Sequence, residues 1–252
     1  MRVFALSDVH ADYDANVRWL DELSMQDYQD DVLILAGDVS DSLGTLERTF
    51  RCLTGRFDTV AYVPGNHDLW VRGEGPATSL QKFAAVHAVA ADCGVATAPV
   101  HRGAISIVPL LGWYDYSFGA PSSELTARWA DFRACRWPEP FDAAAVTAWF
   151  LERNEASLDT ENDTVISFSH FLPRIDVMPG YIPAERRLLY PVLGSTRIEE
   201  QIRRLQPDIH VYGHSHVNRR ITLDGIDYVN NALGYPQETR IAARELVCVH
   251  EA

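Results

Sequence analysis

Metal-ligand side chains recur along this sequence where short apolar runs end. The set is Asp8, His10, Asp38, Asn66, His170, His214 and His216. Imidazole nitrogens with carboxylate and amide oxygens suit Mn, Fe or Zn, and the lack of thiolates in the set argues against a structural zinc site. Seven such ligands exceed what one zinc ion takes but suit two ions that share a bridging carboxylate. The sequence therefore predicts a dinuclear metal centre.

The spacing of these residues indicates which side chains face a metal ion. In extended backbone the residues i and i+2 point the same way, so Asp8 and His10 can reach a single point. The histidines at 214 and 216 can do the same. Asn66 and His67 are adjacent and should diverge, so Asn66 can face a metal ion while His67 points to where a substrate would lie.

The charge of such a centre predicts its chemistry. Two divalent ions bring about +4, while Asp8, Asp38 and a bridging hydroxide return about −3, which leaves a positive site suited to a phosphate. The hydroxide is a strong nucleophile near neutral pH and would attack phosphorus in line with the leaving group. The ions and Asn66 would stabilise the charge that builds on the equatorial oxygens. The predicted reaction is hydrolysis of a phosphate ester.

Short strands alternating with helices must position these side chains. We predict strands over 3–6, 32–36, 60–63, 105–111, 164–168 and 209–212, and helices over about 13–23, 43–53, 79–93, 143–158 and 197–205. A hairpin follows over 221–229 with Asp224-Gly225 at its turn, and then a last strand over 245–249. Residues 119–140 are less regular, and four prolines predict a long loop over 171–195. The pattern favours one mixed-sheet α/β domain over residues 1–252, with two packed sheets and helices outside.

Composition narrows the class of partner. The chain has 252 residues, 47% hydrophobic and 23% charged, and its net charge is −13 without a run of Lys or Arg. Long nucleic acid and anionic membranes demand a basic face, so we expect neither as a partner. The four cysteines form no C-x-x-C pair, and no signal peptide or membrane span is predicted. We expect a cytoplasmic protein that acts on a small phosphorylated substrate, in an oligomeric state that the sequence leaves open.

Five motifs, in this order, resemble those of the calcineurin-like metallophosphoesterase superfamily. They are Asp8-x-His10, Gly37-Asp38-x-x-Asp41, Gly65-Asn66-His67-Asp68, a lone His170 and Gly213-His214-x-His216. The resemblance implies a two-layer β-sandwich flanked by helices, a four-layer fold with the dinuclear site at the strand ends. It implies that one ion is held by Asp8, His10, Asp38 and His216. The other would be held by Asp38, Asn66, His170 and His214, with Asp38 bridging.

The resemblance also implies catalytic roles. His67 would contact the phosphoryl group and protonate the leaving oxygen, and Asp41 would orient His67 through its other ring nitrogen. Asn66 and His67 would thus be the substrate contacts. Asp41 could instead cap the helix that begins near residue 43, and Asp68 is expected to stabilise the turn.

Three functions stay open. The first is a metal-dependent phosphoesterase for a small soluble ester, and the second is a phosphodiesterase or nucleotide pyrophosphohydrolase. The second is favoured if the aromatic patch or the loop arginines face the site, although packing and solvation are the preferred interpretations of these residues: Trp113, Tyr114, Tyr116, Phe118, Arg174, Arg186 and Arg187. The third is a non-catalytic scaffold, such as the phosphoesterase-like subunit of retromer. Such scaffolds lose ligands or the acid histidine, and this chain keeps them all.

Overall fold

The computed structural model describes residues 1–72, 75–160 and 163–251. The strands are β1 (Arg2–Leu6), β2 (Val32–Ala36), β3 (Thr59–Val63), β4 (Val100–Arg102), β5 (Ile105–Pro109), β6 (Thr164–Phe168), β7 (Ile209–Tyr212), β8 (Arg219–Leu223), β9 (Ile226–Asn230) and β10 (Val247–Glu251). The helices are α1 (Asp14–Asp21), α2 (Leu43–Thr54), α3 (Ser79–Asp92), α4 (Ser123–Arg128), α5 (Asp131–Ala134), α6 (Ala143–Asn154) and α7 (Thr196–Leu205). Strand β4 and the short helices α4 and α5 were not predicted, because they are too short to show a period in the sequence.

The strands form two mixed sheets, which confirms the predicted α/β fold. The first sheet has the order β10-β1-β2-β3, and the second has the order β4-β5-β6-β7-β9-β8. Strands β1, β2 and β3 are parallel, as are β5, β6, β7 and β9. Parallel strands end at the same edge of a sheet, so the turns that follow them lie side by side. All seven candidate ligands lie on such turns.

Strand β2 shows why the two sheets pack between layers of helices. Leu33 and Leu35 belong to the cluster under helices α1 to α3, whereas Val32, Ile34 and Ala36 belong to the cluster between the sheets. Alternate residues of a strand point to opposite faces, so a strand buried on both faces reads as an unbroken apolar run. A third cluster covers the outer face of the second sheet beneath α6 and α7. The layers are therefore helix, sheet, sheet, helix.

The segment 171–195 leaves the second sheet after β6 and returns to it. It contains two 3-10 helices, Ile175–Val177 and Ala184–Val192, where the sequence predicted only a loop. Its ends are joined by backbone hydrogen bonds, with Leu172 N donating to Leu193 O at 3.0 Å and Ser195 N donating to Leu172 O at 3.1 Å. The excursion therefore begins and ends beside the turn that carries His170.

Candidate metal centre

The backbone of the ligand turns is unusual. Five of the eight non-glycine residues with positive φ in the described ranges are candidate ligands: Asp8, His10, Asp38, His214 and His216. This region of φ costs an L-residue energy and persists where the surroundings enforce it. Here the turns bind one another, since Asp8 N donates to Gly37 O and His10 N donates to Asp38 O, both at 3.0 Å. His214 N donates to both carboxylate oxygens of Asp8, also at 3.0 Å.

Two glycines allow these turns to approach closely. Gly37 has φ of +82°, and a Cβ at this position would collide with the ring of His170 and with the backbone of Gly65. A Cβ on Gly65 would collide with the carboxylate of Asp38. Glycine is required at both positions because no side chain fits between the ligands. The Gly-Asp and Gly-Asn steps of the motifs therefore have a steric cause.

The seven side chains converge on two adjoining groups. In the first, His10 Nε2 lies 3.1 Å from His216 Nε2, and His216 Nε2 lies 3.2 Å from Asp8 Oδ1. In the second, His170 Nε2 lies 3.0 Å from His214 Nδ1 and 3.1 Å from Asn66 Oδ1.

Asp38 lies between the two groups. Its Oδ1 is 3.5 Å from His170 Nε2, and ligand atoms of Asp38, His10 and His67 lie within 4.8 Å of one another. Ligands of one ion lie about 3–3.5 Å apart when each bond to the metal is about 2.0–2.2 Å. The distances within each group therefore fit one ion, and Asp38 lies between the two groups.

The electrostatics of the site also fit cations. Burial, together with the nearby carboxylates of Asp68 and Asp8, raises the pKa of Asp38 well above its usual value. Burial also opposes the charge of Asp8, but His216 lowers its pKa. Three carboxylates thus crowd into a buried space, and positive charge placed among them would relieve their mutual repulsion.

The outer nitrogen of each of three ligand imidazoles meets an acceptor. His170 Nδ1 lies 2.9 Å from Ala36 O, and His214 Nε2 lies 3.0 Å from Val192 O. A carbonyl only accepts, so these nitrogens carry the proton and the inner ones are free to bind metal. His216 Nδ1 lies 2.6 Å from Glu238 Oε2, and although burial opposes it, Asp8 and Glu238 raise the pKa of His216 to about 10. Glu238 was not predicted from the sequence, since no motif marks it.

Asp68 has the structural role that the sequence predicted. Its buried carboxylate accepts hydrogen bonds from the backbone of both ligand turns and from a tyrosine hydroxyl. The donors are Asp38 N (2.9 Å), Val39 N (2.8 Å), Ser40 N (2.9 Å), Gly65 N (2.9 Å) and Tyr62 Oη (2.8 Å). One carboxylate therefore locks the turn after β2 to the turn after β3.

His67 lies at the edge of the centre, with 16% of its side chain exposed. Its ring stacks on Trp70 with centroids 3.6 Å apart, and Nε2 lies 3.4 Å from the hydroxyl of Tyr235. Burial and the neighbouring His10 lower the pKa of His67 to about 2. Tyr235 stacks in turn on the ring of His10 at 4.4 Å. No role was predicted for Tyr235 from the sequence.

Asp41 does not contact His67 in the way the sequence predicted. Its Oδ2 accepts a hydrogen bond from Arg72 Nη1 at 2.9 Å, and the described residues show no hydrogen bond between Asp41 and His67. The alternative role as helix cap is wrong, because Ser42 caps α2 by accepting a hydrogen bond from Thr45 N. The catalytic role of Asp41 stays a prediction.

The aromatic patch and the loop arginines are explained by packing and ion pairs. Trp113 and Tyr114 are 1% and 3% exposed and lie in the core under α6 and α7, which confirms the preferred interpretation. Arg174 binds Asp176, Glu199 and Asp224. Arg187 donates to the carbonyls of Ile182 and Gly180, and Arg186 is exposed.

Across the described ranges, no helix is both long and apolar enough to cross a membrane.

Comparison with known proteins identifies the family. The family model of the calcineurin-like phosphoesterases matches residues 1–218. The acyl-carrier-protein phosphodiesterase PptH of Mycobacterium tuberculosis is 29% identical over 94% of this chain and 79% of its own length. The crystal structure of the phosphopantetheinyl hydrolase PptH of Mycobacterium tuberculosis superposes with a TM-score of 0.78 at 26% identity, covering 98% of this chain and 95% of that one. The chain therefore belongs to the calcineurin-like phosphoesterase family and is a metallophosphoesterase, a hydrolase of phosphoric ester bonds.

Proposed function

We propose that this hydrolase cleaves a phosphodiester that joins a phosphopantetheine group to a carrier protein. The observation that carries the proposal is the similarity to PptH, which extends over 94% of the chain and includes both sheets. The second support is the complete set of candidate ligands at the strand ends. A scaffold role has no support, because no ligand position has lost its side chain.

Two divalent ions of Mn, Fe or Zn are proposed for the centre. One would be held by Asp8, His10, Asp38 and His216, and the other by Asp38, Asn66, His170 and His214. When bound, the ions would activate a water molecule for attack on phosphorus and offset the charge of the phosphoryl oxygens. The chain's own task is to hold these ligands rigidly in the geometry that the turns impose.

His67 is the proposed general acid for the leaving oxygen. The ring must carry a proton for this step, yet burial and His10 favour the neutral form in the free protein. A phosphodiester anion beside the ring would oppose that preference, because a nearby negative charge favours the protonated imidazole. The hydroxyl of Tyr235 lies near the same nitrogen and would help to orient it.

The experiment compares three substrates with protein loaded with Mn²⁺. They are a carrier protein bearing phosphopantetheine, bis-p-nitrophenyl phosphate and p-nitrophenyl phosphate. We expect the carrier protein to lose its phosphopantetheine group, and mass spectrometry of the carrier detects this loss. We also expect hydrolysis of the diester. The Asp38→Asn variant serves as the inactive control.

Each other outcome has a distinct meaning. Hydrolysis of the monoester alone would contradict the diester proposal and favour the small phosphate ester predicted from the sequence. If the protein hydrolyses the diester but releases no phosphopantetheine from the carrier protein, it is a phosphodiesterase and the proposed substrate is wrong. A nucleotide substrate has less support, because the rings of Trp113 and Tyr114 are buried and cannot stack on a base.

A further inference from the structure

We propose that Asp131 is a positioning residue that fixes the amide of Asn66, so that its oxygen faces the metal centre. The inference rests on the proposed role of Asn66 as a ligand. Asp131 begins the short helix α5, in the irregular region where the sequence indicated no functional residue. Its side chain is 2% exposed.

The surroundings of Asp131 consist of neutral hydrogen-bond donors. Oδ1 accepts from Asn66 Nδ2 at 2.9 Å and from Trp70 Nε1 at 2.6 Å, and Oδ2 accepts from Trp129 Nε1 at 2.7 Å. Among the described residues no Lys, Arg or His forms an ion pair with Asp131. Burying an anion without a cation is costly, and an apolar residue would serve packing better.

The chemistry of the amide explains what the carboxylate achieves. An asparagine side chain has one end that donates and one that accepts, whereas an ionised carboxylate only accepts. Asp131 therefore selects the orientation in which Nδ2 points to it. Asn66 Oδ1 then lies 3.1 Å from His170 Nε2, on the side of the second ligand group. The reverse orientation would set two oxygens against each other and aim an N–H group at a cation.

The same carboxylate also supports two rings that contact site residues. Trp70, held by Oδ1, stacks on His67 with centroids 3.6 Å apart. Trp129, held by Oδ2, meets His214 edge-on with centroids 5.8 Å apart. Asp131 thus supports a ligand directly and two further site residues through indole rings. Hydrogen-bond partners behind metal ligands typically change metal affinity by about 10–100-fold when they are removed.

The test is the Mn²⁺ affinity of the full chain with Asp131→Asn, measured by calorimetric titration and elemental analysis. We expect the second ion to bind about 10–100-fold more weakly while the first binds as in the wild type. Asp31→Asn is the matched control. Asp31 is also buried, but it precedes β2 at the opposite edge of the sheet and binds Arg2. This control should lower the melting temperature and leave both metal affinities unchanged.

A double variant tests orientation directly. With Asn66→Asp and Asp131→Asn together, the donor and the acceptor exchange places, and the total charge is conserved. We expect the second ion to bind more tightly in the double variant than in Asn66→Asp alone, where two carboxylates face each other. A purely structural role of Asp131 would not produce this difference. Two ions of wild-type affinity in the folded Asp131→Asn variant would overturn the inference. A folded double variant that binds the second ion no more tightly than Asn66→Asp alone would also overturn it.

The metal readout is independent of the proposed substrate. If the wild type binds two ions but cleaves no diester, the proposed function fails while the positioning role can still hold. If Asp131→Asn does not fold, the comparison of the double variant with Asn66→Asp decides, because only the double variant places a donor opposite an acceptor.

Discussion

The two halves of the candidate metal centre are built from different chemistry. The carboxylate half consists of Asp8, His10 and His216, and the amide half consists of Asn66, His170 and His214, with Asp38 between them. The carboxylate half has an anionic candidate ligand of its own, Asp8, and the carboxylate of Glu238 contacts the outer nitrogen of His216. The amide half has neither, since its imidazoles donate to the main-chain carbonyls of Ala36 and Val192.

The protonation of the histidines shows the consequence. Asp8 and Glu238 raise the pKa of His216 to about 10 in spite of burial, whereas burial lowers the pKa of both His170 and His214. Negative charge close to a cation site strengthens binding, and a second carboxylate behind an imidazole makes it a better ligand. We therefore expect the carboxylate half to hold its ion more tightly than the amide half.

The largest effect should come from the residue that both halves share. Asp38→Asn removes the carboxylate that we propose to bridge the two ions, so we expect elemental analysis to find neither ion tightly bound. Turnover should fall by more than about 10³-fold, because the nucleophile and the charge stabilisation both depend on the ions. Two tight ions per chain in this variant would contradict the bridging role.

His67→Gln should remove catalysis without disturbing either half. The variant should keep both ions and lose about 10²–10⁴-fold in kcat on a diester with a poor leaving group. The loss should be smaller with p-nitrophenolate, which needs no proton to leave. Activity near that of the wild type on the poor leaving group would reject the role of His67 as the acid.

Glu238→Gln should make the two halves more alike. In the wild type, gradual chelation should remove one ion per chain well before the other, and the residual ion should belong to the carboxylate half. The substitution should weaken the binding of that ion by about 10–100-fold, so the two ions should be lost at more similar chelator concentrations. A chelator titration followed by elemental analysis measures this difference. If the two ions are still lost at chelator concentrations as different as in the wild type, the carboxylate behind His216 does not cause the difference in affinity.

Asp41→Asn should have the smallest effect. The carboxylate forms an ion pair with Arg72, whose side chain is 55% exposed, and such pairs contribute about 0–1 kcal/mol. The free energy of unfolding should therefore change by less than about 1 kcal/mol, with kcat close to the wild type. A large fall in kcat with normal stability would instead restore the predicted link between Asp41 and His67.

The candidate ligands could be found from the sequence because each lies on a turn directly after an apolar run. Asp68 could be found for the same reason, since it follows the Gly65-Asn66-His67 motif. The residues that hydrogen-bond to the candidate ligands could not be found in this way. Glu238 is 22 residues from His216, and Asp131 is 65 residues from Asn66, so no local spacing connects either pair. Asp41 could not be assigned from the sequence because its motif fits both roles, and the contact with Arg72, which shows where its carboxylate points, depends on the fold.

The sequence by itself determined the alternation of strands and helices, the ligand turns and the class of chemistry. These follow from local periodicity and from glycine, carboxylate and imidazole at fixed offsets. The tertiary structure alone decided which carboxylate stands behind which ligand, and hence how the two halves of the centre differ. That information depends on side chains meeting across the packed sheets, where contact is set by the fold and not by distance along the chain.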